Sequence, residues 1–542
     1  MALGRLRAGH RRRGLLFFSG IVASIRPMFV TKRWARLIIL CAAAVAAGCT
    51  STSGTDGGSG GQGGGGTAGS GGTAGETPAD PTVEGPIITR NEPFVAGTTG
   101  IDLADANFRQ EEFFISGTAT SYRNVGELGS DGRWTVEAAA SAEFKTRALV
   151  YRPVNDADFS GTVVVEWLNV SGGLDSAPDW ISMHTEMFRK GHVWVGVSAQ
   201  IVGIEGRADG GAVVPLHLKS VDPERYGSLL HPGDSFSYDM FAQVGQAIRN
   251  PAGTDPLGGL EPQRVIAVGE SQSAGRLITW INAFAPRYSI FDGYIVHSRG
   301  GGSAPLSQEP QDEVRTPDVV NVRDDLKEPT LMFQTETDLF GLRALPSNQP
   351  DSENFRLWEV AGTAHADVYT LLVGQSDLGD DPSVAAVVET TEAAPLGLIQ
   401  CERFINSAGA HFVLKAGLNG LIEWIDVGTP LPEAPRLAVR DDQQGFEIDE
   451  LGNVLGGIRT NYVDVPVAVL SGDGQTGGSF CRLFGTTEKF SDEQIAELYP
   501  TEDDYVGAVR ASCERAVADG YLLQADADLI IVDAETSGIG GP

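Results

Sequence analysis

Cysteine is scarce in this chain of 542 residues, with five in all: Cys41, Cys49, Cys401, Cys481 and Cys513. None forms a C-x-x-C pair and no histidine stands at zinc-ligand spacing to any of them, which argues against a structural metal site. Three cysteines remain beyond Cys49, so at most one disulfide fits within one chain. Cys481 with Cys513 is the expected pair, because both lie in the same C-terminal region. Positive charge is the second shortage, with 40 Lys and Arg against 71 Asp and Glu, a formal net charge of -31. The deficit is uneven. Residues 1–49 hold nine basic side chains and no acidic one, leaving 31 basic against 71 acidic in the rest. A body this acidic repels phosphate backbones and carries no basic stripe, which argues against a nucleic-acid partner. Its acidity reads as a solvated surface.

What is present describes a globular protein with a large core: 42% hydrophobic residues, 20% charged and a mean hydropathy of -0.07. The length exceeds one ordinary core, so one large domain with insertions or two domains are expected.

Residues 1–49 read as a secretory signal. The basic segment Lys32-Arg33-Trp34-Ala35-Arg36 precedes the apolar run LIILCAAAVAAG, which ends at Cys49. That run is too short to span a bilayer comfortably. Ala46-Ala47-Gly48-Cys49 resembles a bacterial lipobox with Ala46 in place of the usual leucine, so Cys49 is the candidate lipidation site. Plain cleavage after small residues is the alternative. A start at Met28 would give a signal of normal form. Residues 50–84 are read as a flexible linker, rich in Gly, Ser and Thr up to about residue 80. The expected address is therefore outside the cytoplasm, as a cell-envelope lipoprotein or secreted protein. Any membrane contact would run through the N-terminal lipid alone.

Residues 85–542 read as an α/β body. Two strand-like segments, EEFFISGTATSYR and RWTVEAAASAEFKTRALVYRPV, flank the turn signal Gly129-Ser130-Asp131-Gly132. Short apolar runs follow at 162–168, 192–198, 264–268, 293–297, 330–334 and 355–360, of the kind buried parallel strands show. Helical patterns separate several of them, notably 235–249 and the stretch around Leu277, Ile278, Ile281 and Phe284. An antiparallel opening followed by β-α-β alternation predicts a mostly parallel, doubly wound sheet. Residues 199–234 and 372–400 break the alternation and read as insertions over the catalytic edge. Residues 435–542 read as a C-terminal extension.

The segment with the clearest chemistry runs from Arg264 through Gly269-Glu270-Ser271-Gln272-Ser273 to Leu277. A buried strand enters a small-x-Ser-x-small turn and leaves as an amphipathic helix, the pattern of a nucleophile elbow. Ser273 stands where a second glycine is usual. The competing reading is a serine that merely caps a helix. As nucleophile, Ser271 would have the Gln272 amide beside it to stabilise an oxyanion. A second donor is expected after the strand Val163–Leu168, from Trp167, Leu168 or Asn169.

Such a serine needs an acid and then a base further along the chain. TLMFQTETD ends a strand in two acids, Asp338 and, as the alternative, Glu336. His365 follows the next strand in AGTAHAD, on a glycine-containing loop. His184 and His411 lie in helical stretches, His192 begins a strand, and His297 comes before the acid, out of order for the base. His217 and His231 fall in the first insertion, where a surface role is expected.

Together, VVVEWLNVSGG, FSYDMFAQVGQAIR, GESQSAGRL, TLMFQTETD and AGTAHAD resemble a bacterial family of alpha/beta hydrolase domain-containing proteins, over most of residues 85–440. The resemblance implies an α/β-hydrolase fold and a Ser-acid-His hydrolase acting on carboxylic esters of small or polymeric substrates. It implies no cofactor. A lactonase, thioesterase or peptidase would use the same machinery. A surface lipoprotein that keeps the fold without turnover is the alternative from a different class.

Overall fold

A computed structural model describes residues 75–541, apart from 99, 208–215, 394–398 and 479. The signal segment, Cys49 and most of the linker lie outside the described residues. The linker's expected end at residue 84 is too late. Glu76 already donates its amide to the Arg287 carbonyl at 3.0 Å, and β1 (Thr82–Glu84) pairs with the next strand.

Two long strands open the body, β2 (Phe108–Asn124) and β3 (Val136–Pro153), antiparallel with one bulge at Ser121/Tyr122. The remaining strands of the main sheet are β4 (Thr162–Trp167), β5 (Val193–Val197), β6 (Arg264–Glu270), β7 (Gly293–His297), β8 (Thr330–Thr335) and β9 (Phe355–Val360). Nine strands run in the order β1-β2-β3-β5-β4-β6-β7-β8-β9. From β5 to β9 every neighbour is parallel, and β3 joins them antiparallel through β5. The six apolar runs read from the sequence are these six parallel strands, within a residue or two at their ends.

Helices cover both faces because the central strands are apolar on both. In β4, Val163, Val165 and Trp167 point to one layer while Val164 points to the other. The first layer is covered by α2 (Ser237–Arg249) and α3 (Gln272–Ala283), through residues such as Phe241, Val244 and Ile281. The second is covered by α1 (Pro178–Lys190) and α5 (Ala410–Val427), through Trp180, Met183 and Leu418. The short α4 (Glu336–Phe340) follows β8. Pro178 starts α1 where a missing N–H costs nothing, and Gly191 ends it in the left-handed conformation at φ 71°.

The described part of the first insertion consists of short helical turns such as Ile201–Glu205 and Pro223–Tyr226. It leaves from the C-terminal end of β5. His231 within it is buried rather than at the surface, its Nε2 3.0 Å from the Ala199 carbonyl.

The C-terminal extension holds a hairpin, β10 (Ala468–Ser471) with β11 (Thr486–Lys489), and, besides shorter helical turns, two long helices, α6 (Glu502–Ala518) and α7 (Gln524–Thr536). Asp526 anchors α7 on the main body by accepting from Lys415 Nζ at 2.9 Å and Arg189 at 2.6 Å. The disulfide joins Cys401 to Cys481, across 80 residues, and Cys513 is a buried free thiol. The expected Cys481–Cys513 pair is thus corrected. Cys513 is used as a small apolar residue in the core between α6 and its neighbours.

Candidate active site

Strand β6 is buried from Val265 to Glu270, and α3 starts at Gln272. The turn between them is one residue, Ser271, held at φ 57° and ψ -114°. A non-glycine residue at positive φ is strained, and the surroundings must hold it there. Two backbone bonds do so: the Ser271 amide donates to the His297 carbonyl at 2.9 Å, and Gly275 donates to the Ser271 carbonyl at 3.2 Å. The small flanks have a steric reason. A Cβ on Gly269 would lie 3.0 Å from the Ser273 carbonyl oxygen, and Ser273 itself is wholly buried.

Asp338, the candidate acid, is placed by a helix cap. Thr335 and Asp338 form a capping box at the start of α4, in which Asp338 Oδ2 accepts from the Thr335 amide at 2.7 Å and from its hydroxyl at 2.9 Å. With Oδ2 committed, Oδ1 faces His365 Nδ1 at 2.7 Å. On the other side of the ring, Nε2 lies 2.9 Å from Ser271 Oγ. Ser271, His365 and Asp338 therefore form one hydrogen-bonded chain, from residues that three different strand ends deliver to one edge of the sheet.

Glu336, the alternative acid, is brought elsewhere. Its Oε1 accepts from the Gly362 amide at 2.5 Å and its Oε2 from the Gly472 amide at 2.8 Å. Burial pushes its carboxyl up to about 8, against those two bonds. It ties the His365 loop to the hairpin rather than touching the ring.

Of the two expected oxyanion donors, Gln272 begins α3, where first-turn amides have no intrahelical acceptor. Asn169 is not free to serve. Its amide donates to the Ser176 carbonyl at 2.9 Å and its Nδ2 to the Glu270 carbonyl and carboxylate at 3.1 and 3.0 Å. The Leu168 amide is spent on Val197 at 3.2 Å. The next amide, Val170, has no acceptor among the described hydrogen bonds.

Two side chains at the centre of the site were given no role from the sequence. Glu270 precedes the serine, and its Oε1 lies 3.1 Å from His365 Nε2. His297 stands opposite Glu270 in the β6–β7 register, and its Nδ1 is 2.8 Å from Asp179 Oδ1. The signal for Glu270 was its place beside the serine. For His297 it was a polar residue ending a strand parallel to the elbow strand. Burial pushes His365 down, but Glu270 and Asp338 outweigh it and hold the imidazole above its ordinary value. Among the described residues, no group of three or more His, Cys, Asp or Glu is placed to hold a metal ion.

The model of the family described as "Alpha/beta hydrolase domain" matches residues 83–532, and the chain belongs to that family. The match takes in most of the C-terminal extension along with the sheet. A search of curated proteins found no match. Similar solved structures include a glucuronoyl esterase from Solibacter usitatus, at 11% identity over 53% of this chain and 83% of that one, TM-score 0.27. Acetyl xylan esterase 1 from a Thermoanaerobacterium species has 10% identity over 44% and 80%, TM-score 0.25. A Butyrivibrio proteoclasticus protein solved with ferulic acid bound has 12% identity over 40% and 85%, TM-score 0.23. TM-scores this low carry no argument about substrate.

Proposed function

We propose that the protein hydrolyses carboxylic esters with Ser271 as nucleophile, His365 as base and Asp338 as its orienting acid. The observation that supports this best is the unbroken chain Asp338–His365–Ser271, at 2.7 and 2.9 Å, ending on a serine held at positive φ. As Ser271 Oγ attacks the ester carbonyl, its proton passes to His365 Nε2 and the carbonyl pair moves onto oxygen. The amide of Gln272, at the start of α3, is the donor for that oxyanion. The C–O bond then breaks, the leaving oxygen takes the proton from Nε2, and an acyl-serine remains. Water repeats the sequence: His365 takes its proton, the hydroxyl attacks the acyl carbon, and Ser271 leaves with the proton restored.

Fluorophosphonate labelling combined with a panel of p-nitrophenyl esters of rising chain length tests this reading. Labelling at Ser271 and turnover of at least one ester are expected. A folded protein that neither labels nor turns over would favour a binding role instead.

We further propose that the protein lies outside the cytoplasm, as a lipoprotein anchored through Cys49 or a secreted protein. The Cys401–Cys481 bond supports it, since structural disulfides belong to oxidising compartments. Membrane fractionation of the full chain and of Cys49→Ala tests it: the wild type is expected with membranes and the variant released or unprocessed. Soluble wild-type protein beginning at another residue would refute the anchor.

A further inference from the structure

The carboxylate of Glu270 has no part in the steps above, yet it stands against the nitrogen that carries the proton. Its Oε1 is 3.1 Å from His365 Nε2, the same atom that bonds Ser271 Oγ at 2.9 Å. Asn169 Nδ2 holds both ends of the residue, the carbonyl at 3.1 Å and Oε2 at 3.0 Å. Glu270 is 7% exposed. The titratable groups that face it are His365 on its loop, His297 from β7, Asp179 from α1 and Asp338 from α4. Behind Asp179 lies Glu166 of β4, which accepts from the Asp179 and Trp180 amides at 3.0 and 2.9 Å.

We propose that Glu270 is a positioning residue for ester hydrolysis: as a carboxylate it accepts a hydrogen bond from protonated His365 Nε2, alongside Ser271, and holds the imidazolium between its two transfers. This rests on Ser271 and His365 being nucleophile and base. When the serine proton reaches Nε2, the new N–H finds Oε1 on one side and the developing ester oxygens on the other. Glu270 neither gains nor loses a proton. The ring, now a cation, lies between two carboxylates, Asp338 at Nδ1 and Glu270 at Nε2, in a site where burial strengthens both attractions. Burial pushes Glu270 up to about 7, against the pull of His365 and His297. Glu270 raises the imidazole above its ordinary value, and removing its charge must lower it. The acid limb of activity reports that value, because only the neutral ring accepts the serine proton.

The test measures the rate of fluorophosphonate labelling of Ser271 against pH in the full chain, with thermal melts as a check on folding. Wild type, Glu270→Gln and Glu270→Asp are compared. Glu270→Gln is expected to label about tenfold more slowly at its optimum, with its acid inflection about one pH unit lower than wild type. Glu270→Asp, which keeps the charge but withdraws it, is expected between the two. A structural role alone would lower the rate at every pH and leave the inflection in place. That result in folded Glu270→Gln would overturn the proposal. Should Glu270→Gln fail to fold, a wild-type inflection at or below about 6.5, the ordinary imidazole value, would overturn it equally. Ser271→Ala separates the two levels of the argument. If it still labels, the reading of the nucleophile fails; if it does not label and the inflection stays fixed in Glu270→Gln, only the role of Glu270 fails.

Discussion

Two buried imidazole–carboxylate pairs flank Glu270: His365 with Asp338 at 2.7 Å and His297 with Asp179 at 2.8 Å. In each the carboxylate meets Nδ1, and in each burial pushes the ring down while neighbouring acids outweigh it. Their mounting differs. His297 is the last residue of β7, its side chain fixed by the register that sets it opposite Glu270. His365 stands five residues past β9 on a loop, and only its Nε2 reaches Ser271. The acids differ in the same way. Asp338 spends its second oxygen on the Thr335 cap, whereas Asp179 Oδ2 has no partner among the described residues. Both are hydrogen-bonded His–Asp pairs, and delivery of the free ring nitrogen to Ser271 Oγ is what separates the two.

The largest expected effect breaks the comparison outright. His365→Ala should lower kcat by about a millionfold, as loss of a base or nucleophile does in serine hydrolases. His297→Ala should cost far less turnover and show mainly as a lower melting temperature. Near-equal losses in the two folded variants would mean that delivery to Ser271 is not the distinguishing feature. Next come the acids: Asp338→Asn should cost about four orders of magnitude in kcat, while Glu336→Gln should cost much less. The reverse ranking would return the role to Glu336.

A smaller effect concerns the frame that holds the His365 loop. Replacing Cys401 and Cys481 by serine should lower stability by about 3 kcal/mol in denaturant melts. Cys513→Ser should leave the mass shift of the single disulfide unchanged. Mapping that finds Cys513 in the bond would contradict the frame. The last comparison is the pH dependence of stability from Glu336. Its folded-state value of about 8 lies above the ordinary 4.5, so the folded protein holds a proton there that the unfolded chain releases. Its contribution is full below about 4.5 and is lost as pH rises to about 8. Melting temperatures across that window should fall less steeply in Glu336→Gln than in wild type.

The parallel strands were legible because each is a short apolar run buried on both faces, such as Val163–Val165 or Tyr294–Val296. The elbow was legible too, since small residues must flank a one-residue turn. The choice between Glu336 and Asp338 was left open, although Thr335-x-x-Asp338 is a capping-box pattern in the sequence. Reading it would have fixed the direction of the Asp338 carboxylate. Asn169 failed as an oxyanion donor because its amide is used by Ser176, a loop contact that no periodicity announces. The disulfide was misread for a similar reason. Closeness along the chain was taken for closeness in space, and the extension folds Cys481 back onto the loop before α5.

That folding back has a kinetic side. Asp338 is set by the cap at its own strand end, within a few residues of chain. The His365 loop is held by distant partners: Ala366 donates to the Leu483 carbonyl, and Asn406 Nδ2 bridges the Gly362 and Ser471 carbonyls. Closing contacts of such wide sequence separation costs chain entropy before they stabilise the fold. A refolding chain should regain fluorophosphonate labelling only once the hairpin of the extension has closed over His365.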